Sequence, residues 1–109
     1  MSLAEIAAML AAMNIDYAYR QFDSETGKQP PFICYFFGPN VPEAADNINY
    51  AKIETLNIEL YTDYKDFNLE AQVEAVLDSC EMVYFKDEDW IESEKMHMTI
   101  YTMEVLING

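Results

Sequence analysis

The spacing of apolar residues predicts a helix at the start of the chain. Ser2 and Glu5 form a capping-box pattern, in which each side chain accepts a hydrogen bond from the backbone N–H of the other residue. The apolar residues that follow at helical spacing are Leu3, Ile6, Ala7, Leu10 and Met13. The predicted helix therefore covers about three turns and ends at Met13.

A second amphipathic helix is predicted after a turn at residues 62–66. Asp66 or Asn68 can serve as its N-cap, because short polar side chains accept hydrogen bonds from the free N–H groups of the first turn. Its apolar stripe consists of Leu69, Val73, Val76, Leu77 and Cys80. Glu70 and Glu74 fall on the other, polar side of this helix.

The segments outside the helices follow patterns that are typical of strands. Alternation with a period of two predicts a strand at residues 15–20, and residues 32–37 are apolar on both faces, which suits a central strand. The longest predicted strand covers residues 50–62. One of its faces carries Leu56, Ile58 and Leu60, and the other carries Thr55, Asn57, Glu59 and Tyr61.

The C-terminal part of the chain predicts further strands. Residues 82–86 are predicted to form a short strand, which is followed by an acidic turn at Asp87, Glu88 and Asp89. Residues 90–93 are predicted to extend the sheet, and residues 96–107 to form the last strand. The complete order, α-β-β-β-α-β-β, predicts an α+β fold: a mostly antiparallel sheet of four to five strands with both helices on one face. At 109 residues, the chain has the length of a single domain, residues 1–109.

Two helices cover only one face of such a sheet, yet the central strand is apolar on both faces. A monomer seldom exposes a large apolar patch, and the 8 tyrosines, 6 phenylalanines and 7 methionines match the composition at the centre of interfaces. We therefore predict an oligomer interface on the face without helices, with candidate residues Tyr35, Phe37, Tyr61, Tyr101 and Met103. The alternative is that the two long loops, 23–31 and 38–49, fold over this face; such loops often carry binding contacts.

The net charge of the chain indicates which classes of partner it does not bind. Six Lys and Arg residues against 20 Asp and Glu residues give a net charge of −14. Nucleic acids and anionic membranes both attract basic patches, so we expect the protein to bind neither. The longest apolar run, residues 32–37, is too short to span a membrane. No basic region precedes the first apolar stretch, so we expect that the chain has no signal peptide and that it is made in the cytoplasm.

No combination of residues predicts catalysis or a metal site. Cys34 and Cys80 lie in apolar patterns and are expected to be reduced, buried thiols without metal-ligand spacing. We interpret the one histidine, His97, as structural or surface-exposed. The acidic run from Asp87 to Glu94 lacks the glycine and the ligand spacing of a calcium loop. The chain also contains no phosphate-binding glycine motif and no G-x-S-x-G sequence, so we expect neither an enzyme nor a cofactor.

A set of residues spread over nearly the whole chain carries a family resemblance. The most specific segment reads I-E-L-Y-T-D-x-K-D-x-x-x-E from Ile58 to Glu70. The other positions are Ala45, Asp46, Asn47, Tyr50, Glu74, Tyr84 and the W-I-E-S-E-K segment at residues 90–95. In these residues the chain resembles a group of small tail proteins that are encoded by phages and prophages of Gram-positive bacteria.

The resemblance implies a structural role in the tail or neck of a virion, as a tail terminator or head–tail joining protein. Such proteins assemble as rings, commonly hexamers, which cap the tail tube and present a docking face to the head. The implied partners are further copies of the chain and other tail and neck proteins, and no catalytic residues are implied. A negatively charged lumen would let DNA pass without binding, because like charge repels the phosphates.

Two other classes of function remain open from the sequence. An acidic protein of this size could mimic DNA and occupy the cleft of a DNA-binding enzyme. A mimic needs carboxylates spaced like phosphates along one continuous face, whereas the acids here fall in predicted turns and on the polar sides of the second helix and the strand at 50–62. The third class is a small binding domain with a different partner.

Overall fold

The computed structural model describes residues 1–20, 28–38 and 52–107. Its elements are α1 (Leu3–Ala12), β1 (Tyr17–Tyr19), β2 (Phe32–Phe37), β3 (Lys52–Thr62), α2 (Phe67–Ser79), β4 (Phe85–Ile91) and β5 (Met96–Ile107). The predicted α+β class and the predicted order of elements are confirmed. Most of the two long loops, 23–31 and 38–49, lies outside the described residues.

Side chains cap both helices at the positions that the sequence indicates. Ser2 Oγ accepts a hydrogen bond from the N–H of Glu5 at 3.1 Å, and Glu5 Oε1 accepts one from the N–H of Ser2 at 2.8 Å. Asp66 is the N-cap of α2, since its Oδ1 accepts a bond from the N–H of Leu69 at 3.0 Å. Each cap satisfies N–H groups that the first turn of a helix leaves without a partner.

The five strands form one sheet in the order β1-β2-β3-β5-β4. The long strands β3 and β5 pair antiparallel at its centre, from Lys52 beside Ile107 to Thr62 beside His97. β2 and β4 flank this pair, and both are also antiparallel to their neighbours. β1 pairs parallel to β2, so the sheet is mixed, with one parallel pair and with β1 and β4 at its two edges.

Both helices pack on one face of the sheet, which we call the covered face. Leu56, Ile58 and Leu60 of β3 have no exposed surface there, as the alternation in the sequence predicts. The residues of the helices that bury against this face are Ile6, Met9, Leu10, Val73 and Leu77. Each such side chain contributes about 1.5–3 kcal/mol when it leaves water, so this layer is the main source of stability.

The alternate residues of the same strands form the opposite face, which we call the helix-free face. Its members on β2 are Phe32, Cys34 and Phe36; on β3, Ile53, Thr55, Asn57, Glu59 and Tyr61; on β5, Met98, Ile100, Thr102, Glu104 and Leu106. On the edge strand β4 they are Phe85, Asp87, Asp89 and Ile91.

Tyr101 and Met103 lie in the core and not on the helix-free face, where the sequence analysis placed them. Tyr101 has no exposed surface, and Met103 is 2% exposed. The sequence misassigned them because β5 is apolar on both sides: Met98 and Ile100 alternate with the residues that face the helices. The register with β3, which sets Tyr101 beside Ile58 and Met103 beside Leu56, decides which side is buried.

The acidic residues Asp87, Glu88 and Asp89 lie inside strand β4, so the predicted turn at these positions is wrong. The hairpin turn lies at residues 92–95 instead. β5 pairs along the whole of β4, from Phe85 beside Thr102 to Ile91 beside Met96. Backbone pairing with β5 holds the charged run as an edge strand, on which its side chains reach solvent. None of the helices in the described part of the chain is long and apolar enough to cross a membrane.

Candidate interaction surfaces

The first edge of the sheet carries an aromatic cleft beside β1. The cleft has a volume of about 400 Å³ and is lined by Leu3, Ile6, Tyr19, Tyr35 and Phe37. The ring centroids of Tyr19 and Tyr35 are 5.3 Å apart in an edge-to-face arrangement, and Tyr17 lies 6.2 Å from Tyr35 on its other side. Tyr19 is 48% exposed and Leu3 is 60% exposed, so this apolar surface is open to a partner.

Two cations lie at the same edge. Arg20 follows β1, and its guanidinium lies 5.5 Å from the ring centroid of Tyr19 and 5.8 Å from that of Phe36. Tyr19 belongs to the covered face and Phe36 to the helix-free face, so the guanidinium of Arg20 lies at the rim between the two faces. Lys28 forms an ion pair with Asp16, just before β1. Of the cations whose side chains the structure describes, Arg20 is the one without a carboxylate partner.

The second edge, β4, exposes large apolar side chains together with acids. Val83 is 85% exposed, Phe85 81% and Trp90 46%. Between the two aromatic residues lie Asp87 and Asp89, whose Oδ1 atoms accept hydrogen bonds from the backbone N–H groups of the residues that follow them, at 2.8 and 2.9 Å. These bonds involve two N–H groups of β4 and leave both carboxylates at the exposed edge of the sheet.

On the helix-free face, polar contacts hold the side chains of the central strands. Asn57 is 6% exposed; its Nδ2 donates to the carbonyl of Gly38 at 2.6 Å, and its Oδ1 accepts from the hydroxyl of Thr102 at 3.1 Å. The ring of Tyr61 stacks on Phe32 with centroids 5.0 Å apart, and its hydroxyl donates to Glu59 at 2.8 Å. Burial, with this hydrogen bond to a carboxylate, raises the pKa of the Tyr61 hydroxyl.

A network of charged side chains lies under α2, where this helix crosses β4 and β5. Glu70 is at its centre: its side chain is 3% exposed, and its Oε1 receives Lys65 Nζ at 2.9 Å and Lys86 Nζ at 2.8 Å. Lys86 also bonds Glu74 at 2.7 Å, and Glu74 accepts the hydroxyl of Tyr101 at 2.7 Å. Burial acts to raise the pKa of Glu70, but the bonds from the two lysines outweigh it and lower that pKa.

His97 belongs to the same network and has a structural position. Its Nε2 lies 2.9 Å from Glu88 Oε1, which also accepts a bond from Lys65 at 3.0 Å. The Nδ1 of His97, the hydroxyl of Thr99 and the Oε2 of Glu70 are buried without a hydrogen-bond partner among the described residues. Buried polar atoms without a hydrogen bond lower the free energy of unfolding. The end of the core under α2 is therefore less favourably packed than the apolar end under α1.

The structure separates the five candidate interface residues into three places. Tyr35 and Phe37 line the aromatic cleft on the covered face, half-buried. Tyr61 lies on the helix-free face, also half-buried, and Tyr101 and Met103 are in the core. The sequence analysis did not name the residues exposed at the two edges, above all Tyr17, Arg20, Phe85 and Trp90, as interface candidates. An aromatic residue at each end of an acidic run was a sequence signal for β4, but the run was interpreted as a turn.

The cysteines and acids give no site for chemistry in the described residues. Neither Cys34 nor Cys80 forms a disulfide within the described part of the chain, and Cys34 is buried as expected. Cys80 is exposed, contrary to the prediction, because it is the C-cap of α2 and the buried stripe ends at Leu77. In the ranges 1–20, 28–38 and 52–107, no three His, Cys, Asp or Glu side chains are grouped so that they could hold a metal ion.

Of the comparisons with known proteins, the one with solved structures finds a chain of similar fold. No family model matches the sequence, and no curated protein matches it. A chain from a solved structure entitled "Virion of native gene transfer agent (GTA) particle" shares the fold, with a TM-score of 0.55 and 14% sequence identity. The superposition covers 98% of this chain and 89% of that chain, so the similarity includes both helices and the sheet.

Proposed function

We propose that the protein is a structural component of a phage or phage-like virion. The observation that carries this proposal is the fold similarity to a virion chain over 98% of the present chain, together with the sequence resemblance to small phage tail proteins. Within the virion, we propose the position of a tail terminator or head–tail joining protein in the tail and neck, where copies assemble as a ring such as a hexamer.

The surfaces of the molecule support an assembly role rather than catalysis. Both edges of the sheet expose aromatic side chains, and one of them forms an open cleft of about 400 Å³. Exposed apolar surface of this kind marks protein–protein contacts. His97, the only histidine of the chain, is bonded to Glu88 within the network of charged side chains under α2. Among the described residues, its side-chain contact is therefore with a carboxylate and not with a nucleophile.

The charge of the chain supports a position along the path of DNA without a role in binding it. Among the Lys and Arg residues whose side chains are described, Arg20 is the only one without an ion pair, so the described surface offers no basic patch for phosphates. The DNA-mimic alternative has less support. Asp16, Glu70, Glu74, Glu88 and Glu92 are engaged by the lysines of the chain itself, so they do not form a free line of carboxylates.

The proposal is tested on particles produced by a host that carries the gene. We expect the chain in purified particles by mass spectrometry, and gold-labelled antibody at the junction of head and tail. Deletion of the gene should yield filled heads and separate tails, and expression in trans should restore joined particles. A host with the gene deleted and normal joined particles would contradict the head–tail assignment, and absence of the chain from particles would contradict the virion proposal itself.

A further inference from the structure

The two edges of the sheet carry aromatic side chains and charges of opposite sign. β1 and β4 lie at opposite ends of the strand order, and each pairs on one side only within the described residues. The β1 edge carries aromatic side chains and the unpaired cation Arg20. The β4 edge carries Trp90 and two aspartates, Asp87 and Asp89, for which residues 1–20, 28–38 and 52–107 supply no ion-pair partner.

The alternation of side chains places the complementary groups on matching faces. On β4, the register with β5 puts Trp90 on the covered face, beside His97, and puts Asp87 and Asp89 on the helix-free face. On β1, Tyr17 and Tyr19 point to the covered face and the small Ala18 to the helix-free face. Arg20 follows Tyr19 at the end of β1, and its guanidinium lies at the rim between the rings of Tyr19 and Phe36, from which it is close to the helix-free side.

We propose that the β4 edge of one copy pairs with the β1 edge of the next copy, so that the sheet continues from subunit to subunit. Trp90 then meets the tyrosines of β1 on the covered face, and Arg20 meets Asp87 and Asp89 on the helix-free face. This inference rests on the proposed assembly of the protein and specifies the surface that forms it. Aromatic and opposite-charge pairs across neighbouring strands each stabilise a sheet.

The same charges disfavour the symmetric alternative. Pairing of two β4 edges would bring Asp87 and Asp89 of one copy close to those of the other, and like charges on neighbouring strands are destabilising. A contact between two different edges is heterologous, and a heterologous contact closes into a ring when its rotation allows. In the proposed contact, the backbone of the neighbouring β1 accepts from the N–H groups of Glu88 and Trp90, which now bond Asp87 and Asp89, and Arg20 takes up the two carboxylates.

Charge exchange between the edges tests the pairing. Arg20→Asp and the double variant Asp87→Lys/Asp89→Lys are measured by light scattering after size exclusion, up to about 1 mM, where contacts of only about 4 kcal/mol become populated. Each variant alone should need at least a tenfold higher protein concentration than the wild type to assemble. A mixture of the two, or the three substitutions in one chain, should restore it, because opposite charges again face each other at every contact.

A matched control and a second readout keep the test independent of folding. Asp63→Lys/Glu104→Lys makes the same change of charge away from both edges and should assemble as the wild type does. Trp90 is the only tryptophan, so its fluorescence reports on the β4 edge directly. Its emission should shift to shorter wavelength as the wild type assembles, and should not shift in Arg20→Asp, whose fold is checked by circular dichroism.

The outcomes separate this inference from the proposed function. Assembly that is unaffected by both charge variants, or that leaves the emission of Trp90 unchanged, would overturn edge pairing while the ring proposal stands. A wild type that stays monomeric at the highest concentration, with no recovery in the mixture, would also overturn edge pairing. The particle experiments described above decide the virion role in either case, because they do not depend on self-association in solution.

Discussion

The two faces of the sheet are built from alternate residues of the same strands, yet they hold their side chains in different ways. On the covered face, two helices close over Leu56, Ile58 and Leu60, which have no exposed surface. On the helix-free face, Asn57 and Tyr61 are held by hydrogen bonds and ring stacking between neighbouring side chains. One face is stabilised by burial of apolar surface under the helices, and the other by hydrogen bonds and ring stacking among its own side chains.

This difference explains how a small protein can offer surface to partners without losing its fold. The apolar layer under the helices supplies most of the stability, so the helix-free face and the edges contribute less and can carry other groups. The covered face is itself uneven. Its end under α1 is apolar, whereas its end under α2 contains the network around Glu70, with three buried polar atoms that lack a partner among the described residues.

The largest expected contrast is between two leucines on opposite faces. Leu60→Ala removes a side chain with no exposed surface and should lower the free energy of unfolding by about 2–5 kcal/mol, since it leaves a cavity. Leu106→Ala on the helix-free face, where the residue is 54% exposed, should change it by about 0.5 kcal/mol or less. Urea unfolding measures both. Equal losses would mean that the two faces are buried alike.

The next contrast concerns the charged end of the covered face. Glu70→Gln removes the buried carboxylate from Lys65 and Lys86, and breaking a buried pair costs about 3–5 kcal/mol. Both lysines are about one-third exposed and regain water, so we expect about 2–3 kcal/mol here. Glu94→Gln, in the exposed hairpin turn, is the control and should be neutral. A neutral Glu70→Gln would show that the network does not contribute to stability.

The stability gap between the wild type and Glu70→Gln should depend on pH. The pKa of Glu70 is lowered in the folded protein, because bonds from two lysines outweigh the effect of burial. A lowered pKa stabilises the fold above the ordinary value of 4.5, and this contribution is lost as pH falls through the folded pKa. Urea midpoints of both proteins from pH 7 to pH 3 should therefore converge at the acid end. A constant gap would argue against an ionised Glu70.

The smallest expected contrast compares two tyrosine hydroxyls. Tyr101→Phe on the covered face removes a bond to Glu74, a charged acceptor, and should cost about 1.5–3 kcal/mol. Tyr61→Phe on the helix-free face also removes a bond to a carboxylate, but Glu59 can regain water there, so about 0.5–1.5 kcal/mol is expected. Thermal unfolding at pH 7 measures the difference. A larger loss at Tyr61 would reverse the order of the two faces.

Sequence patterns predicted much of the local structure. The capping residues Ser2 and Asp66 mark where the helices begin, because caps depend on groups only a few residues apart. The inward direction of Leu56, Ile58 and Leu60 was predictable, because the other face of β3 is mainly polar. The placement of the candidate interface residues on the face without helices, in contrast, was predicted poorly, because Tyr61 is the only one of the five that lies there.

The sequence by itself determined the class of fold, the order of its elements and the start of the first helix, and it narrowed the start of the second to Asp66 or Asn68, because these follow from periodicity and local hydrogen bonds. Tertiary structure decided what periodicity leaves open. β5 is apolar on both sides, and its register with β3 is what buries Tyr101 and Met103. Asp87, Glu88 and Asp89 would form a turn by composition, but pairing with β5 makes them an edge strand. Glu70 lies buried where two lysines, distant from each other along the chain, reach the same carboxylate oxygen and offset the cost of removing its charge from water.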